Sequence, residues 1–387
     1  MKWFRIPRDI VFEPGSIQYL ADIQGTRAIV VTGGSSMKKY GFLDKAVELL
    51  KKAGMEVKVF DGVEPDPSVK TVYSGAKAMQ EFQPDWIVSI GGGSAIDAAK
   101  AMWVFYEYPK LAFADIIQPF GIPKLRNKAR FVAIPSTSGT ATEVTCASVI
   151  TDYDTPNKMK YPLLSYEITP DIAIVDPELT VTMPPHVTAH TGVDALTHAI
   201  EAYVSTNSSH FTNPLALEAI KMVFEYLPKA YQNGQDMVAR GKMHYAQCLA
   251  GIAFTNAFLG IVHSMAHKIG AQFEIPHGEA NGILLPYVIA YNAETASKEY
   301  GEIARYIGIA ETDDKIATEK LINAIRQLNS QVGIPATLQG VNINGEEFFA
   351  KLAETAKNAL EDPCTGCNPR TPTVEDIKQI YEKAFNS

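Results

Sequence analysis

The chain has 387 residues, 46% of them hydrophobic, 20% charged and 10% aromatic, a mixture too apolar for a disordered chain and too even for a fibre. The formal net charge of −8, without a long run of one sign, disfavours a nucleic-acid or anionic-membrane surface. Four cysteines do not make a disulfide framework, and Met1-Lys2-Trp3-Phe4-Arg5-Ile6-Pro7 lacks the apolar core of a signal peptide. The longest mostly apolar stretch, Cys248–Val262, is interrupted by Thr255 and Asn256 and is shorter than the roughly 20 residues a bilayer needs. A soluble, cytoplasmic protein is expected, with no nucleic-acid or membrane partner.

In chain order, Ala28–Thr32 reads as a buried strand stopped by Gly33-Gly34, and Phe42–Ala53 as a helix ended by Gly54. Val57–Phe60 is the next strand. Asp66-Pro67 places a capping carboxylate before a proline and opens a helix to about Phe82. Trp86–Ile90 is a third strand, followed by a helix over Ser94–Phe105; Phe131–Ile134 and Ile172–Val175 are further strands. Alternating helices and continuously apolar strands predict a parallel sheet covered on both faces. After Met183-Pro184-Pro185 the strand pattern gives way to apolar residues at helical spacing. Two domains are therefore expected, an α/β domain over 1–183 and an all-helical one over 184–387.

Glycine-rich turns mark the strand ends. In Gly91-Gly92-Gly93-Ser94-Ala95-Ile96-Asp97 the glycines allow close backbone approach, and the helix start offers N–H groups to a phosphate. Ile96 stands where the usual dinucleotide fingerprint has its last glycine, so this is not an ordinary Rossmann signature. Gly92, Gly93 and Ser94 are candidate phosphate contacts; Asp97 either complements the helix dipole or orients the cofactor. Gly33-Gly34-Ser35-Ser36 lacks the carboxylate that holds a ribose 2′-hydroxyl, and Lys38 and Lys39 follow, which predicts a preference for NADP(H) over NAD(H). A third segment, Pro135–Glu143, carries five hydroxyls; Thr137, Ser138 and Thr140 are candidates for phosphate or ribose oxygens, with plain helix capping as the alternative.

The second half carries metal-ligand spacing. Asp194 and His198 stand at i and i+4, His263 and His267 repeat that spacing, and His277 lies in a Pro-His-Gly loop. A carboxylate and imidazoles without cysteine suit Fe(II) or Zn(II), with five candidates for about four positions. His186, His190, His210 and His244 read as background, and Cys364-Thr365-Gly366-Cys367, with no second pair, as surface thiols.

The Gly91–Asp97 turn, Pro135–Glu143, Gly192–Glu201, Gly260–His267, Pro276-His277-Gly278 and Cys364-Thr365-Gly366 with Asn368-Pro369-Arg370 together resemble the signatures of the iron-containing (group III) alcohol dehydrogenase family, over essentially the whole chain. The resemblance implies a dehydroquinate synthase-like architecture, with a Rossmann-like nucleotide-binding domain and a helical metal-binding domain. It assigns the metal, Fe2+ or alternatively Zn2+, to Asp194, His198, His263 and His277. It leaves His267 unligated near the nicotinamide, as a proton relay or a cofactor-positioning group, and places Lys160 near the nicotinamide ribose. Gly33 stands where NAD-using members carry Asp, which again implies NADP(H). The implied reaction is hydride transfer between NADP(H) and short- to medium-chain primary alcohols, such as butanol, and their aldehydes. A homodimer is the base-rate expectation. A metal-dependent hydrolase or lyase and a non-catalytic scaffold are the rival classes; neither needs the dehydrogenase segments.

Overall fold

The computed structural model describes residues 3–155 and 159–386; Met1, Lys2 and Ser387, at the ends of the two expected domains, lie outside the described residues. The chain divides into two compact units, one of Arg5–Thr137 and Ala141–Thr182, the other of Met183–Ser387 joined by Ser138–Thr140 and the extreme N-terminus.

The first unit is built on the strands β1 (Asp9–Phe12), β2 (Arg27–Gly33), β3 (Glu56–Val63), β4 (Trp86–Gly91), β5 (Arg130–Pro135), β6 (Ala147–Asp152), β7 (Met159–Leu164) and β8 (Ile172–Val175). Six of them form one parallel sheet in the order β1-β8-β5-β4-β2-β3, and β6 and β7 make a separate antiparallel hairpin. Its helices are α1 (Ser36–Lys39), α2 (Phe42–Lys52), α3 (Val69–Phe82), α4 (Gly93–Glu107) and α5 (Phe113–Ile116). Burial of both sheet faces explains the continuous apolar strands. Along β2, Ile29 and Val31 pack with Met102 and Trp103 of α4, whereas Ala28 and Val30 pack with Leu49 and Leu50 of α2.

Sequence reasoning missed β1, a short edge strand, and the β6–β7 hairpin, whose second strand contains Pro162. It also misplaced a cap. α3 starts at Val69, and Ser68 Oγ, not the Asp66 carboxylate, accepts the Thr71 N–H at 3.0 Å. Asp66 sits at φ +51° and takes the Lys160 ammonium at 2.7 Å.

The second unit contains α6 (Pro185–Val204), α7 (Asn213–Gln232), α8 (Met237–Ala257), α9 (Ile261–Phe273), α10 (His277–Tyr306), α11 (Asp314–Gln331), α12 (Gly345–Leu360) and α13 (Val374–Asn386). α6 packs against α7, α8 and α10, which makes it the central helix of this unit. The buried Arg240 guanidinium of α8 ties down the start of α6, donating to Thr188 Oγ1 at 2.7 Å and to the Met183 carbonyl at 3.1 Å. The apolar Cys248–Val262 stretch is broken at 258–260, where α8 and α9 meet at 106°. Among the described residues no single helix is long and apolar enough to cross a membrane.

Gly33 closes β2 at a register shift against β3, where a Cβ would lie 2.4 Å from the Val63 carbonyl oxygen. That neighbour is backbone and cannot swing away. Gly33→Ala is therefore expected to cost about 1–3 kcal/mol in urea unfolding; unchanged stability would show that the strand end relaxes freely.

Candidate metal centre and cofactor loops

The helix periodicity read from the sequence puts Asp194 and His198 on one face of α6, and the fold brings two other helix starts to that face. His263 lies in the first turn of α9, and His277 is the first residue of α10, after Pro276. The Nε2 atoms of His263 and His277 each stand 3.5 Å from Asp194 Oδ1, and that of His198 stands 3.8 Å away. Ligand atoms of Asp194, His263 and His277 all fall within 4.8 Å of one another. The His198 ring stacks between His263, at 4.5 Å, and Phe254 of α8, at 4.4 Å.

A second layer orients this set. The buried Glu201 carboxylate accepts the Val262 N–H at 2.7 Å and meets His263 Nδ1 at 2.5 Å, which turns Nε2 toward Asp194. Asn281, one turn after His277, directs Nδ2 at Asp194 Oδ1 (2.8 Å), His277 Nε2 (3.1 Å) and His263 Nε2 (3.3 Å), while its buried Oδ1 has no hydrogen-bond partner. Asp194 Oδ1 and two imidazole nitrogens thus converge on one amide group. That is the electrostatic demand a divalent cation meets, so the donor set fits a metal.

The protonation states agree in direction. Burial would raise the Asp194 carboxyl, but the neighbouring His198 and His277 hold it well below the usual carboxylate range. Burial lowers His198 to about 4 against the pull of Asp194, leaving the neutral imidazole that coordination requires. Burial opposes protonation of His263 as well, yet Glu201 and Asp194 lift it to about 9, so a bound cation displaces a proton there.

His267, one turn after His263, stacks on His277 at 5.3 Å. Its Nδ1 donates to Asp362 Oδ2 at 3.1 Å, and Lys268 Nζ reaches the same oxygen at 2.8 Å. Cys364 donates its N–H to Asp362 Oδ1 and, with His267 and Asp362, forms a second group of clustered donors. The expectation of surface thiols is therefore corrected: Cys364 and Cys367 are half-buried, and burial with the Asp362 charge pushes the Cys364 thiol up.

In the α/β unit, α4 begins at Gly93 with Gly92 as its cap and no side chain capping it, so backbone N–H groups are presented at the end of β4. A Cβ at Gly92 would lie 3.6 Å from the Thr137 methyl group, which places the start of the hydroxyl-rich segment over the helix start. Asp97, one turn in, has a carboxyl that burial pushes up to about 7 against the pull of Lys100. Lys100 in turn donates to the carbonyls of Thr145 (2.7 Å) and Ala147 (2.9 Å). Gly34 has φ +63°, and Ser35, Ser36, Lys38 and Lys39 are exposed at the end of β2. Ser138 and Gly139 are buried between the half-exposed Thr137 and Thr140. Lys160 lies on β7, ion-paired to Asp66.

Several functional candidates were missed in the sequence although their spacing was available: Glu201 stands two turns from Asp194, and Asn281 is at i+4 from His277. Asp362 had no local signal, since only the tertiary fold brings it to His267. Glu201→Gln should lower metal retention about 10- to 100-fold, because an amide no longer favours the proton on His263 Nδ1. Metal analysis after dialysis checks this, and wild-type retention would remove Glu201 from the centre.

Comparison with known proteins places the whole chain. The description "Iron-containing alcohol dehydrogenase" matches residues 7–177, and "Fe-containing alcohol dehydrogenase family, C-terminal" matches residues 188–385. An NADPH-dependent butanol dehydrogenase of Clostridium saccharobutylicum is 56% identical over 385 residues, covering 100% of this chain and 98% of that protein. An aldehyde-alcohol dehydrogenase of Streptococcus pneumoniae is 43% identical over all of this chain, which spans 46% of that longer protein. Among solved structures, 1,3-propanediol oxidoreductase superposes with a TM-score of 0.92 at 35% identity, and an iron-containing alcohol dehydrogenase of Thermococcus thioreducens with 0.91 at 38%, each with full coverage of both chains. The architecture is the dehydroquinate synthase-like fold of these enzymes. The chain belongs to the iron-containing alcohol dehydrogenase family, whose chemistry is the interconversion of alcohols and aldehydes.

Proposed function

We propose that this enzyme uses NADP(H) and a divalent metal, Fe2+ or alternatively Zn2+, to interconvert short- to medium-chain primary alcohols such as butanol with their aldehydes. The observation that carries the reading is the convergence of three imidazole nitrogens on the Asp194 carboxylate, backed by Glu201. Asp194, His198, His263 and His277 would hold the metal. Gly92, Gly93, Ser94, Thr137 and Thr140 would serve the cofactor's phosphates and ribose, with Ser138 buried between the two threonines and Asp97 one turn into α4. The α/β unit is the nucleotide-binding domain in this reading, and the helical unit the metal-binding domain.

NADP(H) is favoured by the loop after β2. The Val63 carbonyl leaves no room for a side chain at Gly33 without movement of the strand end, so no carboxylate stands at that position. Exposed hydroxyls at Ser35 and Ser36, with Lys38 and Lys39 beyond, suit a 2′-phosphate. The Clostridium relative, itself NADPH-dependent by name, agrees. Lys160 enters as a ribose contact on family resemblance; its exchange of Asp66 for a ligand oxygen would be needed.

When bound, the metal supplies Lewis acidity toward the substrate oxygen and the nicotinamide supplies the hydride. The protein's own part is orientation and proton handling. Glu201 holds His263 in one tautomer, and the buried Asp194 carboxylate remains ionised. His267 has Nδ1 committed to Asp362, which leaves Nε2 to exchange a proton with the substrate hydroxyl.

Reconstitution with Fe(II) or Zn(II), followed by an aldehyde panel with NADPH and NADH, tests the reading. The expected result is aldehyde-dependent oxidation with a higher kcat/KM for NADPH; a higher value for NADH would refute the cofactor assignment, and no oxidation of either would refute the activity. His263→Ala should lose its metal on gel filtration, and full occupancy in that variant would overturn the ligand set.

A further inference from the structure

His244 was read from the sequence as background, near a helix start. The structure places it two turns into α8, fully buried, with Nδ1 3.0 Å from Ser138 Oγ. Its other nitrogen, Nε2, is buried and has no hydrogen-bond partner among the described residues. This decides the tautomer. A proton on Nε2 would bury an N–H donor with nothing to accept it, whereas a proton on Nδ1 leaves only a lone pair there. His244 therefore donates from Nδ1 to the Ser138 hydroxyl oxygen.

Ser138 is only 2% exposed, and the next residue is gripped as firmly. A Cβ at Gly139 would stand 2.6 Å from Thr191 Cβ and 2.8 Å from Thr191 Cα, on α6, one turn before Asp194. Ser138–Thr140 accordingly packs with the helical unit although its neighbours on both sides belong to the α/β unit. The half-exposed residues of the segment, Thr137 and Thr140, flank this buried pair. A buried imidazole opposite a buried hydroxyl is costly unless it fixes something, since an apolar pair would fill the same space.

We propose that His244 is a positioning residue for the cofactor loop: by donating to Ser138 it sets the backbone that presents Thr137 and Thr140 to the bound NADP(H). Ser138 is then an anchor beneath the loop rather than a direct contact. The proposal rests on the reading that this segment binds the cofactor.

The test compares His244→Leu, His244→Asn, Ser138→Ala and the Ser138→Ala/His244→Leu double variant, all loaded with metal. An asparagine amide nitrogen can stand where Nδ1 stands and keep the donor. NADPH Kd is read from fluorescence, with Tm and metal content measured alongside. His244→Leu and Ser138→Ala should each weaken NADPH binding about five- to tenfold, the size of one lost buried hydrogen bond. The loss should fall on KM for NADPH more than on kcat, the double variant should be no worse than either single one, and His244→Asn should recover most of the affinity. Wild-type NADPH affinity in a stably folded His244→Leu would overturn the proposal, as would a loss that His244→Asn fails to recover while Tm is kept. Gly92→Val separates the role of His244 from that of the loop itself. If it weakens NADPH binding while His244→Leu does not, only the role of His244 fails; if it leaves binding intact, the cofactor-loop reading fails as well.

Discussion

Keeping the Asp194 carboxylate ionised inside a helical core is the constraint around which the helical unit of this enzyme is organised. A buried carboxylate is tolerated only where positive charge or hydrogen-bond donors meet it. Here the partners are imidazoles from α6, α9 and α10 and the Asn281 amide. The helices must meet closely for this, and small residues permit it: a Cβ at Gly278 would lie 2.0 Å from the His190 carbonyl oxygen, so α10 can touch α6 only through glycine directly beside His277. Glu201 adds a second buried carboxylate, satisfied by His263 and the Val262 amide, so the two negative charges share one imidazole between them. A divalent cation completes such a set, where further apolar packing would leave it with uncompensated charge.

The proposed ligand of the α/β unit poses the opposite problem, an anionic cofactor for a chain of net charge −8. The groups on offer are mostly backbone, with Lys38 and Lys39 the basic side chains after β2. The sheet is apolar on both faces, which leaves chemistry to the strand ends, and there the glycines at the start of α4 expose N–H groups without a competing side-chain cap. The Thr137 side chain after β5 stands over the same helix start. Overall charge therefore says little about phosphate affinity; local dipoles decide it.

Much of this was legible in the sequence because it is periodic or local. The unbroken apolar run of β2, the i, i+4 spacing of Asp194 with His198, and the glycines after β4 each follow from the geometry of one element. What escaped was set elsewhere. Asp66 looked like a helix cap, yet Ser68 took that place, because the Glu64 carboxylate accepts the Ser68 N–H at 2.8 Å and closes the turn one step later. The Cys364 thiol looked exposed, yet the chain folds it beside Asp362 and His267. His244 looked like one more helical histidine, and only the approach of Ser138 from far along the chain makes it a specific donor.

The sequence by itself determined the two textures of the chain, the residues able to bind metal and phosphate, and the family, since these depend on residue type and short spacing. Spacing alone offered five metal ligands for about four positions, with Asp194, His198, His263, His267 and His277 equivalent in kind. The tertiary structure separates His267 from the others by place: Nε2 of His198, His263 and His277 stand 3.5–3.8 Å from Asp194 Oδ1, whereas His267 clusters with Asp362 and Cys364. It also decides which carboxylate orients His263 and which histidine meets Ser138. Those choices depend on which side chains share a buried volume, where an unpaired polar atom is costly, and no local pattern encodes that.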